Sequence, residues 1–168
     1  MKNRFPLFLA LLLAAGSTTL FAQDSLADPS ARRQLTPEEQ RHFGPGSGSL
    51  KYDPRMIRAA RIAEERAHPR MTWHCWKYVK DALLAADVVE HRPVTAWARQ
   101  AGAELSGNFG FKKLSTLNPY KAPVGAVIVY GGRDAGHVEL RTPTGFASDF
   151  ISRRPYPRPV LGIYIKPA

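Results

Sequence analysis

Wound at about 3.6 residues per turn, residues 75–89 divide into two sides. Cys75, Trp76, Tyr78, Val79, Ala82, Leu83, Ala85 and Ala86 share one broad apolar face, while Lys77, Lys80, Asp81 and Asp87 occupy the other. The stretch reads as an amphipathic helix with Cys75 in its first turn and Thr72 placed to cap it. Upstream, Asp53-Pro54 is a helix start, a capping carboxylate followed by proline in the first turn. Met56, Ala60, Ala63 and Ala67 then fall on one face with Ile57 at its edge, and His68-Pro69 ends the pattern. A third helix is expected from Pro93, with Val94, Trp97, Ala98, Ala101 and Leu105 at the same spacing. A loop-rich passage containing Gly107, Gly110, Pro119 and Pro123 follows, and there the period changes. Residues 124–130 are a nearly continuous apolar run closed by Gly131-Gly132, residues 137–141 and 146–151 alternate, and residues 161–166 follow a proline-rich link at 155–159. Helices first and strands later imply an α+β domain in which N-terminal helices pack on a small antiparallel sheet.

The two segments ahead of this domain are different in kind. Lys2 and Arg4 precede an apolar or small stretch to Ala22, the order of a secretory signal peptide over residues 1–22. Gly16, Ser17, Thr18 and Thr19 interrupt the run, which argues against a permanent membrane span. Residues 23–52 hold Pro29, Pro37, Gly44, Pro45, Gly46 and Gly48 among polar side chains and read as a flexible tether. The expected folded domain is therefore 53–168, and the expected location is secreted or periplasmic, with no stable membrane anchor after cleavage. The formal charge is +10; residues 1–22 hold two of the positive charges, so it becomes +8 without them. Such a chain is drawn to anionic cell-envelope polymers. No nucleic-acid motif is present, so nucleic acid is not expected as a partner.

One cysteine changes the picture further. It excludes an internal disulfide, and an unpaired thiol in an exported chain is a candidate for reactivity. A helix start favours a thiolate, as does a neighbouring imidazolium. The opposing reading is plain packing, since free cysteine is among the most buried residue types. Of the five histidines, His42 lies in the tether, His68 and His91 at helix ends, and His74 beside Cys75, where adjacent helical positions diverge. His137 follows Gly136, opens a strand and precedes the core-like Val138 and Leu140, which suits a rigidly held base. A three-residue hairpin loop ending on a left-handed Gly145 pairs Thr142 with Phe146 and Glu139 with Asp149. That register puts His137, Glu139 and Asp149 on one face and Val138, Leu140, Phe146 and Phe150 on the other. Asp149 is the preferred acid to orient His137, with Glu139 in reserve. Trp73 is a candidate to line a substrate groove, whereas Trp76 fits the core. No two histidines have zinc-ligand spacing, so neither a metal nor a cofactor is expected.

Cys75 at a helix start, the strand Ala122-Pro123-Val124-Gly125-Ala126-Val127-Ile128-Val129-Tyr130 and then Gly136-His137-Val138-Glu139-Leu140 together resemble the CHAP and NlpC-type cell-wall cysteine hydrolases, papain-like amidohydrolases and peptidases. The likeness covers residues 72–166. It implies Cys75 as nucleophile and His137 as base, with the third member mapping to Asp149 or Ser148. It implies cleavage of an amide in the peptide part of peptidoglycan through a thioester acyl-enzyme; separately, a monomer is expected. A toxin directed at rival walls would use the same chemistry. The non-enzymatic alternatives are a wall-binding module with a decayed site and a redox or metal-carrying thiol protein.

Overall fold

The computed structural model describes residues 51–168; the signal peptide and most of the tether expected from the sequence lie outside the described residues. Tyr52, assigned to the tether by its composition, is buried, and its hydroxyl donates to Val124 O at 2.8 Å. Helix α1 is Arg55–Arg66. The Asp53 carboxylate accepts the Arg55 N–H at 2.9 Å, so an acid supplies the first orphan donor of the helix with an acceptor. Met56, Ile57, Ala59, Ala60 and Ala63 form its buried face, and Ala67 turns extended ahead of His68-Pro69. Helix α2 is Cys75–Ala85. Lys80, on the polar side of its helical projection, is nevertheless buried: Nζ lies over the Trp76 ring and donates to Thr95 O at 2.5 Å.

The third helix differs from its expected start. Residues 93–96 are not helical, a 3-10 turn spans Ala98–Gln100, and α3 is Ala101–Asn108. The reason is a competing acceptor. The buried Glu104 carboxylate takes the backbone N–H of Val94 at 2.5 Å and of Thr95 at 3.2 Å, together with the Thr95 hydroxyl. Those donors are satisfied without helix, and Val94 is left 82% exposed.

The six strands are all antiparallel: β1 Lys112–Lys113, β2 Val127–Tyr130, β3 His137–Arg141, β4 Phe146–Ala147, β5 Ile151–Ser152 and β6 Val160–Ile165, in the order β1-β6-β2-β3-β4-β5. The chain is thus α+β, with three helices and this sheet among the described residues. Strand β2 lies between β6 and β3 and is buried along its whole length, which is why its sequence is continuously apolar. Helices α1 and α2 pack on each other and on β3, while α3 packs on β6. Gly125 lets α1 approach, since a Cβ there would lie 2.5 Å from the Met56 carbonyl carbon and the residue has φ +91°.

Two expectations for the last hairpins are corrected. The single strand expected over 146–151 is two short strands, Phe146–Ala147 and Ile151–Ser152, joined by a turn. The β3–β4 register is Arg141 opposite Phe146 and Leu140 opposite Ala147, one residue from the expected pairing. Thr142 belongs to the loop: its hydroxyl accepts Gly145 N–H at 3.0 Å and its own N–H donates to Gly145 O at 2.9 Å. Gly145 is not left-handed. A shift of one reverses which side chains share a face, and it separates Asp149 from Glu139.

Candidate active site

Cys75 is the first residue of α2, so its backbone N–H has no partner within the helix. The turn leading to it is unusual. Trp73 has φ +65°, a conformation that costs an ordinary residue roughly 1–2 kcal/mol. Thr72 does not cap α2. His74 occupies the cap position without a side-chain bond, and both the N–H and the hydroxyl of Thr72 donate to Asp149.

His137 opens β3 directly after Gly136, which has φ +74°. A Cβ at Gly136 would lie 2.6 Å from Tyr130 O and 2.9 Å from the Arg99 Cβ. Only glycine fits there, and the tight bend sets the histidine opposite the head of α2. The ring is 3% exposed. Its Nε2 lies 3.4 Å from Glu139 Oε2, an ion-pair distance without hydrogen-bond alignment, and Cys75 is its other polar partner. Burial works against a charged ring, but the contacts with Cys75 and then Glu139 outweigh it and push His137 up to about 9.

Glu139 is 2% exposed and deeply engaged. Its Oε1 accepts the Tyr130 hydroxyl and the Tyr156 N–H, the latter at 3.4 Å. Burial and this acidic neighbour push the Tyr130 phenol well above its ordinary value, so it stays a donor. Tyr156, between Pro155 and Pro157, stacks on the imidazole with centroids 3.9 Å apart and planes 23° apart. The result is a line from Cys75 through His137 to Glu139 and Tyr130, closed on one side by Tyr156. Neither tyrosine was singled out from the sequence. Tyr130 carried a signal, a phenol ending an otherwise apolar strand and needing a partner once buried.

Asp149 and His137 border the same cleft, but the polar partners of the ring are Cys75 and Glu139, not Asp149. Asp149 is fully buried, and its carboxylate receives Thr72 N–H at 2.6 Å, Thr72 Oγ1 at 2.9 Å, His74 N–H at 3.2 Å and Ser148 Oγ at 3.1 Å. Burial acts to raise it, yet these donors hold it below the usual carboxylate range. Ser148, the other position reached by family likeness, is engaged with Asp149.

Cys75, His137, Trp73, Gly136 and Tyr156 all border one cleft of about 350 Å³. Trp73 is 81% exposed at its rim, whereas Trp76 is buried and donates Nε1–H to Thr95 Oγ1 at 3.1 Å. Among the other histidines, His68 meets the Tyr78 hydroxyl and His91 packs on Phe109, while His42 lies outside the described residues. Among the described residues no three His, Cys, Asp or Glu side chains are grouped to hold a metal ion, and no helix is long and apolar enough to cross a membrane.

The fold has a solved counterpart. The chain is similar to a chain in the crystal structure of the type VI native effector–immunity complex Tae3–Tai3 from Ralstonia pickettii, at 24% identity and TM-score 0.55, covering 67% of this chain and 98% of that one. A selenomethionine form of the same complex aligns at 27% identity and TM-score 0.47, covering 56% and 80%. No protein-family model and no curated protein matches.

Proposed function

We propose that this chain is an exported cysteine hydrolase of papain-like fold, cleaving an amide bond in the peptide part of peptidoglycan with Cys75 as nucleophile, His137 as base and acid, and Glu139 as the group that orients the histidine. The observation that carries the reading is the line of Cys75, His137 and Glu139 at the head of α2, facing an open cleft. Glu139 takes the orienting role in place of Asp149 because its carboxylate is the one beside the ring.

The chemistry follows from the geometry. In the reactive form the Cys75 thiol proton rests on His137, and the sulfur adds to the amide carbonyl carbon. The oxygen takes up the negative charge and is met by the Cys75 backbone N–H at the helix start. The tetrahedral intermediate collapses as its C–N bond breaks, and the proton on His137 passes to the leaving amine. A ring held charged up to about 9 is equipped for that donation at neutral pH. Water, deprotonated by His137, then adds to the thioester; the C–S bond breaks and the sulfur recovers the proton. Glu139 keeps the ring in place and favours its charged form, while Tyr156 excludes water from one face.

Three features favour peptidoglycan as the substrate. The leader pattern in residues 1–22 directs the chain out of the cytoplasm, the net positive charge favours an anionic envelope, and Cys75 with Gly136-His137-Val138 matches the pattern of wall hydrolases. Exposed Trp73 at the cleft rim suits contact with substrate. The fold shared with a chain of an effector–immunity complex favours a second, narrower reading: a toxin aimed at a rival wall and restrained in its producer by an acidic protein partner.

Mass spectrometry of purified sacculi incubated with the chain or with Cys75→Ala tests the proposal. New fragments from the wild type alone support hydrolysis and identify the bond. Binding to sacculi without fragments, across several wall chemistries, would replace it with a non-catalytic wall-binding module.

A further inference from the structure

The nucleophile is delivered by a short turn whose conformation is costly, and one buried carboxylate holds that turn. Thr72 and His74 flank Trp73, the residue with φ +65°. Asp149 Oδ2 receives both of their backbone N–H groups and the Thr72 hydroxyl, while Ser148 Oγ donates to the other oxygen. Its own carbonyl accepts His68 N–H at 2.8 Å, so the same residue also pins the far end of the α1–α2 connection. A fully buried carboxylate that satisfies three donors across 75 or more residues of sequence is not a surface accident. The consequence falls on Cys75, the next residue along. With His74 N–H taken by Asp149, the first unclaimed donor of the helix start is that of Cys75 itself.

We propose that Asp149 is a positioning residue for the nucleophile: it clamps the Thr72–Trp73–His74 turn and so fixes Cys75 against His137, without acting on the histidine. The proposal rests on Cys75 being the nucleophile, and it stands apart from which wall bond is cut. Loss of the clamp frees a turn that strain already disfavours, and misplacement by about 1 Å costs on the order of 100-fold in reactivity.

The test compares Asp149→Asn with the unsubstituted chain by two readouts that need no wall substrate. The first is the rate at which Cys75 is alkylated by iodoacetamide. The second is the titration of His137 followed by NMR, measured with Cys75 present and again in Cys75→Ala. We expect alkylation to slow at least tenfold and the His137 titration to move down. That movement should vanish when Cys75 is alanine, because Asp149 reaches the ring only through the cysteine. A shift of equal size in the Cys75→Ala background overturns the proposal in favour of direct action on His137. Unchanged alkylation in a folded variant overturns it in favour of a purely structural acid. Should Asp149→Asn fail to fold, Thr72→Val removes one donor to the same carboxylate and keeps the shape; it should slow alkylation several-fold, and full reactivity there refutes the clamp.

Discussion

The His137 ring reports on both of its partners: removing either should lower its titration, and removing both should reverse the sign of the shift. Glu139→Gln keeps the shape of the side chain and an amide oxygen to receive the Tyr130 hydroxyl, but it deletes the charge 3.4 Å from Nε2. In the intact chain His137 moves from 6.5 to about 9, although burial alone pushes the other way. At about 1.4 kcal/mol per pH unit, the net preference for the charged ring is roughly 3 kcal/mol, and the gross attraction from Cys75 and Glu139 exceeds that by whatever burial removes. Glu139→Gln should lower the titration by about one pH unit or more. Cys75→Ala should lower it by at least as much, because Cys75 is the stronger of the two partners. The double variant leaves burial without opposition, so its titration should fall below 6.5.

The assay is NMR of carbon-labelled histidine, with the His137 signal identified by its loss in His137→Asn. A Glu139→Gln titration within a few tenths of the wild type would falsify the pairing, and a double variant titrating above 6.5 would show that burial does not oppose the charge. The same perturbation is visible in stability. A histidine whose folded value is raised contributes stability that is fully present below 6.5 and is lost as pH rises through about 9. Unfolding free energy should therefore decline by roughly 3 kcal/mol across that window, and by less in Glu139→Gln. The alkaline limb of kcat/KM, set by loss of the proton destined for the leaving amine, should lie near 9 and move down with the substitution.

Three further outcomes follow from single features. Trp73→Gly relieves a left-handed residue, so it should raise stability by about 1 kcal/mol while raising KM for peptide fragments; an unchanged KM would remove Trp73 from the substrate groove. Gly136→Ala forces a Cβ to 2.6 Å from Tyr130 O and should cost roughly 2 kcal/mol or more, with activity lost beyond what unfolding explains; a Tm within 2 °C of the wild type would contradict the packing at this bend. Asp149, held below the ordinary 3.8, contributes stability present above that value and lost as pH falls beneath it; Asp149→Asn should flatten the acid side of the stability profile, and an unchanged acid profile would mean that its donors do not favour the ionised form.

Helices α1 and α2 were readable because their signals are local: a capping acid with proline, and apolar spacing over a dozen residues. The third helix was misplaced because Glu104 satisfies the N–H groups of Val94 and Thr95 from ten and nine residues away, an acceptor that no periodicity reveals. The acid beside His137 is the sharper case. Assigning Asp149 required the hairpin register, and one hydroxyl, that of Thr142 on Gly145 N–H, was enough to lengthen the loop by a residue and reverse every face beyond it. Glu139 required no register at all. It lies two residues from His137 on the same strand, so the pleat directs both side chains to one face whatever the neighbouring strand does. When an acid within the histidine's own strand competes with one reached across a hairpin, the former rests on a single geometric fact and the latter on two. On that ground Glu139 is the better supported of the two from the sequence itself. The same reasoning leaves Asp149 free for the work its four donors describe, holding the turn that presents Cys75.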